Sequence, residues 1–501
     1  MHHALRLIVL QAALASCALA VNAQSSYPPG LDVARPSQRV SEPEGDPTLL
    51  ARVPVATVRL EASPTILGGQ LEGTPVRRPG LAVVEVFGVN LFYGLLNQVL
   101  PSNVHEHYHV SFRSWKANLR GGFSWDDDPF QINQFGHSYQ GGNYFTVGRS
   151  LGLRYWESLP LAALGSVTWE LFGENTRPSW NDLINTTLGG AAFGEVMHRM
   201  AWLVRAPEQT GPSHWWREVA ALGLDPVGGL NRLALGEAWR VAEKPSDLRP
   251  SRLAGEIALG MQWVGRDRHL GSAARTTQGT FALDYGALHS GPSRSPFDAF
   301  SMSLRAGGGA LVSGASIRGR LAGRRLGAAP EGSHQWVLVQ GYDYDASPSF
   351  LYGGQSLLAG VADRFDLPGE VALTTLATAG PVLLGAIDSP ASEPGTRPFD
   401  YGAGIQVSGT ATLTRRGSSL ARLSHRTSVL RTVTRTPAGH VLTVLRGELR
   451  VPIRSRVFLG LEGEWAHHIS RPDTLPVSRR WYPQLRAHLV WQFRLGPAWL
   501  H

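Results

Sequence analysis

From residue 252 onward, apolar and polar residues alternate with a period of two. In 252–264 Leu253, Ile257, Leu259, Met261 and Trp263 occupy one parity, against Arg252, Glu256 and Gln262 on the other. In 484–495 Leu485, Leu489, Trp491 and Phe493 oppose Gln484, Arg486, His488 and Arg494. This period puts successive side chains on opposite faces of a strand. Similar stretches run near 281–288, 300–306, 334–344, 402–413, 441–451 and 456–466. Turn residues such as Gly291-Pro292, Pro330-Glu331-Gly332 and Pro437-Ala438-Gly439 separate them. Counting weaker candidates gives on the order of 10–12 strands, each about long enough to cross a bilayer when tilted. One face is apolar with aromatic ends, and the other is polar and Arg-rich. That is the pattern of an outer-membrane-type barrel. A soluble sandwich also alternates, but strands of this length recur here with little helix among them.

The first half follows another rhythm. Residues 24–80 are broken by prolines from Pro28 to Pro79, too often for regular structure, and read as an arm. The apolar run 81–100 predicts a helix. Residues 108–125 alternate and predict a strand or an interfacial segment. Helices are expected at 141–156, 159–173, 180–205 and 215–223, with Pro178-Ser179 and Asp182 forming a start that resembles a capping box. The expected organisation is a signal peptide at 1–23, a Pro-rich disordered arm at 24–80, a helical block at 81–245 and a barrel of roughly 12 antiparallel strands at 250–496. The fold class is α+β.

The signal peptide rests on a basic start to Arg6, an apolar run 7–20 and a small-residue end at Val21-Asn22-Ala23. The single cysteine, Cys17, follows Leu14-Ala15-Ser16, which resembles a lipobox; lipid anchoring there is the minor alternative. Without a disulfide, stability must come from core or membrane burial. No later segment has 18 unbroken apolar residues, so no helix is expected to cross an inner membrane. The net charge is +8, and 45 of the 47 basic residues are arginine, dispersed along the chain without a basic block. An exported protein of this kind meets anionic lipid, not nucleic acid.

Chemistry-bearing residues concentrate between Asn133 and Arg199, among Gly, Ala, Leu and aromatic residues. Unpaired charge in such surroundings costs several kcal/mol, so these groups must be paired, wet or functional. Asn133, Gln134 and His137 lie in a Gly-flanked segment with two readings. It is an anion-binding loop before a helix, or a tight turn whose glycines let helices approach. Glu170 and Glu174 share a helix face. They suit acid–base chemistry or a divalent cation, or pairing with Arg149, Arg177 or Arg199. Asp182, Asn185, Glu195 and Arg199 fall on one polar arc of the next helix. There Glu195 and Arg199 are an i,i+4 pair, Asp182 is in place to cap the helix, and Gly189 and Gly190 admit another backbone. Glu195-x-x-His198 has the spacing of a di-iron motif. It has no second copy, so neither metal nor cofactor is expected. No Gly-x-Ser-x-Gly, phosphate-loop or His-Glu-x-x-His motif occurs.

Taken together, Trp125-Asp126-x-Asp128-x-Phe130, Asn133-Gln134-x-Gly136-His137, Tyr139-x-Gly141, Arg149-Ser150-x-Gly152, Tyr155-Trp156-x-Ser158, Gly165-Ser166-x-x-Trp169-Glu170, Pro178-Ser179-x-Asn181-Asp182 and Gly189-Gly190-x-x-x-Gly194-Glu195 resemble an uncharacterised bacterial envelope family, domain of unknown function 3943. The resemblance covers about 81–240, with Asp225-Pro226 and Asn231-Arg232-Leu233; Ser138 stands where that family commonly has proline. It implies an exported protein with a helical block before a β-rich half, and does not imply an activity.

The first reading is therefore a Gram-negative outer-membrane protein. Its helical block sits on the periplasmic side of the barrel or inside it, locked by the polar tract to an Arg-rich lumen. Its expected partners are outer-membrane lipid and the barrel-insertion machinery, and its role is structural, or binding or passage of a ligand. The alternatives are an envelope lipid-modifying or hydrolytic enzyme using His137, Glu170 and Glu174, and a soluble periplasmic binding protein.

Overall fold

A computed structural model describes residues 76–99, 109–266, 269–289, 293–307, 310–327, 333–347, 349–390 and 397–495. The signal peptide, Cys17 and most of the arm lie outside them. Twelve antiparallel strands run in chain order and close, β12 pairing with β1. They are β1 Leu253–Arg266, β2 His269–Tyr285, β3 Phe300–Gly307, β4 Ala310–Arg325, β5 Ser333–Ala346, β6 Leu351–Leu367, β7 Val371–Asp388, β8 Phe399–Arg415, β9 Ser418–Thr432, β10 Ala438–Arg454, β11 Val457–Pro472 and β12 Ser478–Leu495. Closure leaves no free edge strand, although β3 is short and pairs with β2 only over Gln278–Tyr285.

Alternation sorts the two faces. Glu256, Arg318, Asp343, Asp345, Arg422, Arg426 and Arg450 point into the lumen, where they pair with one another, and Arg486 pairs there with Glu462 and Glu464. The opposite parity carries Ile257, Leu259, Ile405, Val407, Leu449, Leu459 and Leu489, all exposed on the outer wall. An apolar exterior around an ionic interior is the arrangement of a barrel surrounded by lipid.

The preceding helices are α1 Pro79–Val99, α2 Phe112–Gly121, α3 His137–Ser150, α4 Tyr155–Phe172, α5 Trp180–Ile184, α6 Gly190–Val204, α7 Pro212–Leu224 and α8 Pro226–Ala234. One π-helical turn, Ile132–Gly136, leads straight into α3, and another, Asn185–Gly189, joins α5 to α6. The stretch expected as a Gly-flanked loop at His137 is thus continuous helix. Its N–H groups serve the helix and are not free for an anion. Residues 112–121 are helical too, not a strand. Ser111 accepts from the Ser114 N–H (3.2 Å) and Ser114 returns the bond (2.9 Å), and this reciprocal cap outweighs a short alternation. Helix α8 escaped the periodic reading because of Gly228-Gly229. Its start was nevertheless marked by Asp225, which accepts from the Gly228 N–H (2.9 Å), and by Pro226 in the first turn.

The helical block packs against the barrel, and it does so on the outer wall, not in the lumen. On β5 the lumen parity holds Asp343 and Asp345. Gln340, Tyr342 and Tyr344 share the other parity with the exposed Trp336, and these are the residues that meet the helices. On β8, Phe399 and Tyr401 likewise share the face of Ile405 and Val407; Phe399 meets Phe130 edge to face and Tyr401 stacks on Trp125. One barrel end, where β1 begins and β12 finishes, is called here the terminal end. Helices α1 and α4 start beside it, and α3 and α6 finish there. Arg199 reaches Ser295 and Pro296 in the β2–β3 connection, and Tyr155 stacks on Phe297. At the distal end Arg397 donates to the Asp126 carbonyl.

Candidate functional site

Gly141 and Gly190 make the crossing on which the block is built. A Cβ on Gly141 would fall on the Thr186 carbonyl, and one on Gly190 would lie 2.5–2.8 Å from the Gly141 backbone. The π turn before Gly190 carries the Thr186 carbonyl against Gly141. Such turns offset side chains from an ordinary helical register. The approach expected at Gly189 and Gly190 is therefore present.

Around it the polar residues form two clusters. Toward the terminal end, buried Glu195 accepts from Arg149 Nε (2.7 Å) and Arg199 Nε (2.8 Å). The other Arg199 nitrogens donate to the carbonyls of Asp247 and Pro296 and to Ser295. The i,i+4 pair expected from sequence is one half of this triad.

Toward the distal end, His137 Nε2 lies 3.3 Å from Asp182 Oδ1. The same oxygen accepts from the Asn181 amide (2.9 Å), and the Ser179 hydroxyl donates to the other Asp182 oxygen. Asp182 therefore bridges a histidine and a serine across two helices. Ser179 is the N-cap by position, but its hydroxyl meets this carboxylate and no backbone N–H. Asn181 also donates to Asn133 Oδ1 (3.2 Å), and Asn185 donates to the Asn133 carbonyl (2.9 Å).

Glu170 and Glu174 do not pair with arginine as the helix face suggested. Arg149 and Arg199 are held by Glu195, and Arg177 bonds the Gly121 carbonyl. Glu170 accepts from the Ser179 N–H (2.8 Å). Glu174, in the α4–α5 connection, accepts from Trp169 Nε1 (2.7 Å) and the Thr176 hydroxyl (3.0 Å). Burial pushes the Glu174 carboxyl up to about 7; nearby His137 and the Trp169 bond hold it down, and the Asp182 charge raises it.

The Glu174 shift has a stability consequence. A folded-state acid with a raised value keeps a proton that the unfolded chain releases above about 4.5. Its stabilising contribution is full below that value and is lost as pH rises to about 7. Because Glu174 is only half-buried as a residue, the loss is on the order of 1–3 kcal/mol. Thermal unfolding of the helices, followed by circular dichroism in detergent, should therefore begin lower at pH 7.5 than at pH 5. In Glu174→Gln that slope should flatten; an unchanged slope would remove Glu174 as its source.

Reading the sequence alone missed several partners. His198 Nδ1 lies 3.5 Å from Asp225 Oδ2, so the pseudo-metal spacing of Glu195 and His198 splits between two unrelated contacts. Among the described residues no group of three His, Cys, Asp or Glu is placed to hold a metal ion. Glu85 accepts twice from the Asn231 amide, at 3.0 Å. It was signalled by being the one charge in the apolar run 81–100. The outer-wall partners carried no such signal. Tyr342 donates to the Gln134 carbonyl (2.9 Å), Gln355 donates to Asn185 Oδ1 (3.3 Å), Gln340 donates to the Leu188 carbonyl (2.8 Å), and Tyr155 donates to Gln340. The polar tract thus locks the helices to the outside of the wall, not to the lumen.

The lumen is a second candidate site. At mid-height Arg426 on β9 reaches across to Asp343 (3.0 Å) and Asp345 (2.7 Å) on β5, while Arg305 and Arg318 hold the same carboxylates from β3 and β4. Toward the terminal end a vestibule of about 850 Å³ is lined by nine arginines against Glu256, Asp284 and Asp343. His137, Glu170 and Glu174 line neither this space nor the smaller one beside it.

Closed, apolar outside, ionic inside and flanked by helices, the molecule is a twelve-stranded barrel of outer-membrane type with a helical block on its wall. Residues 122–227 match the family model described as a domain of unknown function (DUF3943), so the resemblance read from the motifs holds over that segment. No curated protein matches the chain. Among solved structures, the chain is similar to the KdgM porin at 9% identity, over 48% of this chain and 99% of that one, with a TM-score of 0.21. An outer membrane channel from Pseudomonas putida F1 shares 11% identity over 49% of this chain and 96% of that one, with a TM-score of 0.24. OccAB2 from Acinetobacter baumannii shares 12% identity over 50% of this chain and 99% of that one, with a TM-score of 0.16.

Proposed function

We propose that this is an outer-membrane barrel whose arginine-lined vestibule admits small anionic solutes from the terminal end, with passage limited by ion pairs across the waist. The carrying observation is a space lined by nine arginines and three carboxylates, in which Arg252, Arg456 and Arg494 have no ion-pair partner among the described residues. A low-dielectric wall focuses such a field and raises the local anion concentration. The exposed apolar band supports the outer-membrane location, since a soluble periplasmic protein would leave that surface facing water. The enzymatic alternative finds no support in the geometry. His137 faces a carboxylate that the Ser179 hydroxyl also holds, and no opening described above reaches it.

Fractionation with heat-modifiable gel migration tests the location. Recordings in planar bilayers across a salt gradient test the role. Wild type should be membrane-retained, low in conductance and anion-selective. Arg426→Ala should raise conductance several-fold, because it removes the tie from β9 to β5 while Arg305 and Arg318 still pair with the two aspartates. Release by osmotic shock, or preference for cations, would overturn the proposal.

A further inference from the structure

The helical block is built inside out for a water-soluble domain. In α1, Ala82, Glu85, Val86, Val89 and Tyr93 are buried, while the opposite stripe of Val83, Val84, Phe87, Leu91 and Leu95 is exposed. Leu91 is 66% exposed, and the stripe carries no charge. The only charged side chain of α1, Glu85, points inward. In α3, α5 and α6, His137, Asp182, Glu195, His198 and Arg199 are likewise buried, and Arg149 turns inward to Glu195. A soluble amphipathic helix does the reverse, with its apolar stripe inward and its charges in water. Exposed charge on α4 and α7 is limited to Glu157, in the first turn of α4, and Arg217; charges that otherwise face the bundle interior behind an apolar exterior are the mark of helices in lipid.

The dimensions agree. At 1.5 Å per residue, α1 rises roughly 31 Å, against a hydrocarbon thickness of about 30 Å. By length and composition, α1 can span a bilayer, although sequence reading anticipated no such helix for an inner membrane. The helices run alongside the strands from one barrel end to the other. The N-terminal block covers outward-facing residues from Tyr285 on β2 to Tyr401 on β8, and the exposed apolar residues of β1 and the rest of β8 continue on either side. Amphipathic α2 lies at the distal end with Phe112 and Leu119 exposed beside Arg113, Lys116 and Arg120, and Trp216 and Trp239 are exposed toward the terminal end. Both ends therefore carry the aromatic and basic residues that favour a membrane interface.

We infer that the helical block lies within the same membrane as the barrel, with the exposed stripe of α1 against lipid acyl chains. The inference rests on the outer-membrane reading of the barrel, and its test separates the two. The full chain is refolded into phosphatidylcholine vesicles with one fluorophore-labelled cysteine in a Cys17→Ser background. Leu91→Cys reports on α1, Leu489→Cys on the barrel band, and Gln209→Cys on an exposed loop. Leu91→Cys should match Leu489→Cys, being quenched several-fold more by doxyl-labelled lipid than by aqueous iodide. If Leu91→Cys instead follows Gln209→Cys while Leu489→Cys stays in lipid, the inference fails and the barrel reading stands. Protection of Leu91→Cys from both quenchers would also overturn it, by showing that protein covers the stripe. If Leu489→Cys is itself quenched by iodide, the barrel reading fails first.

Discussion

Gly141→Ala is expected to collapse the helical block while leaving the barrel closed. The added methyl would occupy the position of the Thr186 carbonyl, and Gly190 backs the same crossing, so only a shift of two helices can relieve the overlap. Cores resist such shifts because they are packed to crystal-like density. Moving α3 from α6 would also break the Asn185–Asn133 and Ser138–Asn185 hydrogen bonds. A cost of more than about 4 kcal/mol follows, at the far end of single-substitution effects. The readout is loss of helical circular dichroism and new protease cleavage within 79–234, with heat-modifiable migration retained. Gly94→Ala is the control. No atom lies within 4 Å of its added Cβ, and in a helix interior alanine should be favoured by about 1 kcal/mol. Equal behaviour of the two variants would show that the crossing is not what holds the block.

Glu195→Ala should be the second most damaging change. It strands two guanidinium groups, one fully buried and one nearly so, and breaking such a pair from one side costs about 3–5 kcal/mol. Arg199 keeps three other acceptors, whereas Arg149 keeps only the Leu153 carbonyl, at 2.7 Å. Most of the loss should therefore arise at Arg149. In a double-mutant cycle, adding Arg149→Met to Glu195→Ala should recover part of the stability, because the worse-stranded charge is gone. Additive losses, or a single-variant cost below about 1 kcal/mol, would contradict the triad as the internal tie.

The barrel was legible because a two-residue period survives in the chain whatever surrounds it. β1, β5, β8 and β10 to β12 announce themselves through bulky apolar residues on one parity. β4, β7 and β9 announce less, since small or polar residues interrupt both faces. The helices α1, α4, and α5 with α6 were legible from apolar runs and from the Ser179 start. The two π turns were not, because no residue type demands them.

The sites divide in the same way. Spacing alone revealed the Glu195–Arg199 bond, since both groups ride on one helix and their distance is fixed by its pitch. Arg149 meets Glu195 on another helix, Asp182 meets His137, and Glu170 accepts from Ser179 beyond the end of α4; no local spacing encodes those contacts. The Ser179 hydroxyl could cap a helix or meet Asp182, and only the arrival of His137 and Glu170 decides between them.

By itself, then, the sequence determined a twelve-strand pattern, a lumen of arginines and carboxylates, a helical block before it and a family resemblance over that block. Only the tertiary structure decided on which side of the wall the block lies. Alternation says which residues share a face, not what covers that face. Tyr342, Tyr344, Phe399 and Tyr401 suit a lipid boundary and a helix boundary equally, because both reward apolar contact. The hydroxyl bond from Tyr342 to the Gln134 carbonyl is what distinguishes them, and it exists only once the two halves of the chain have met.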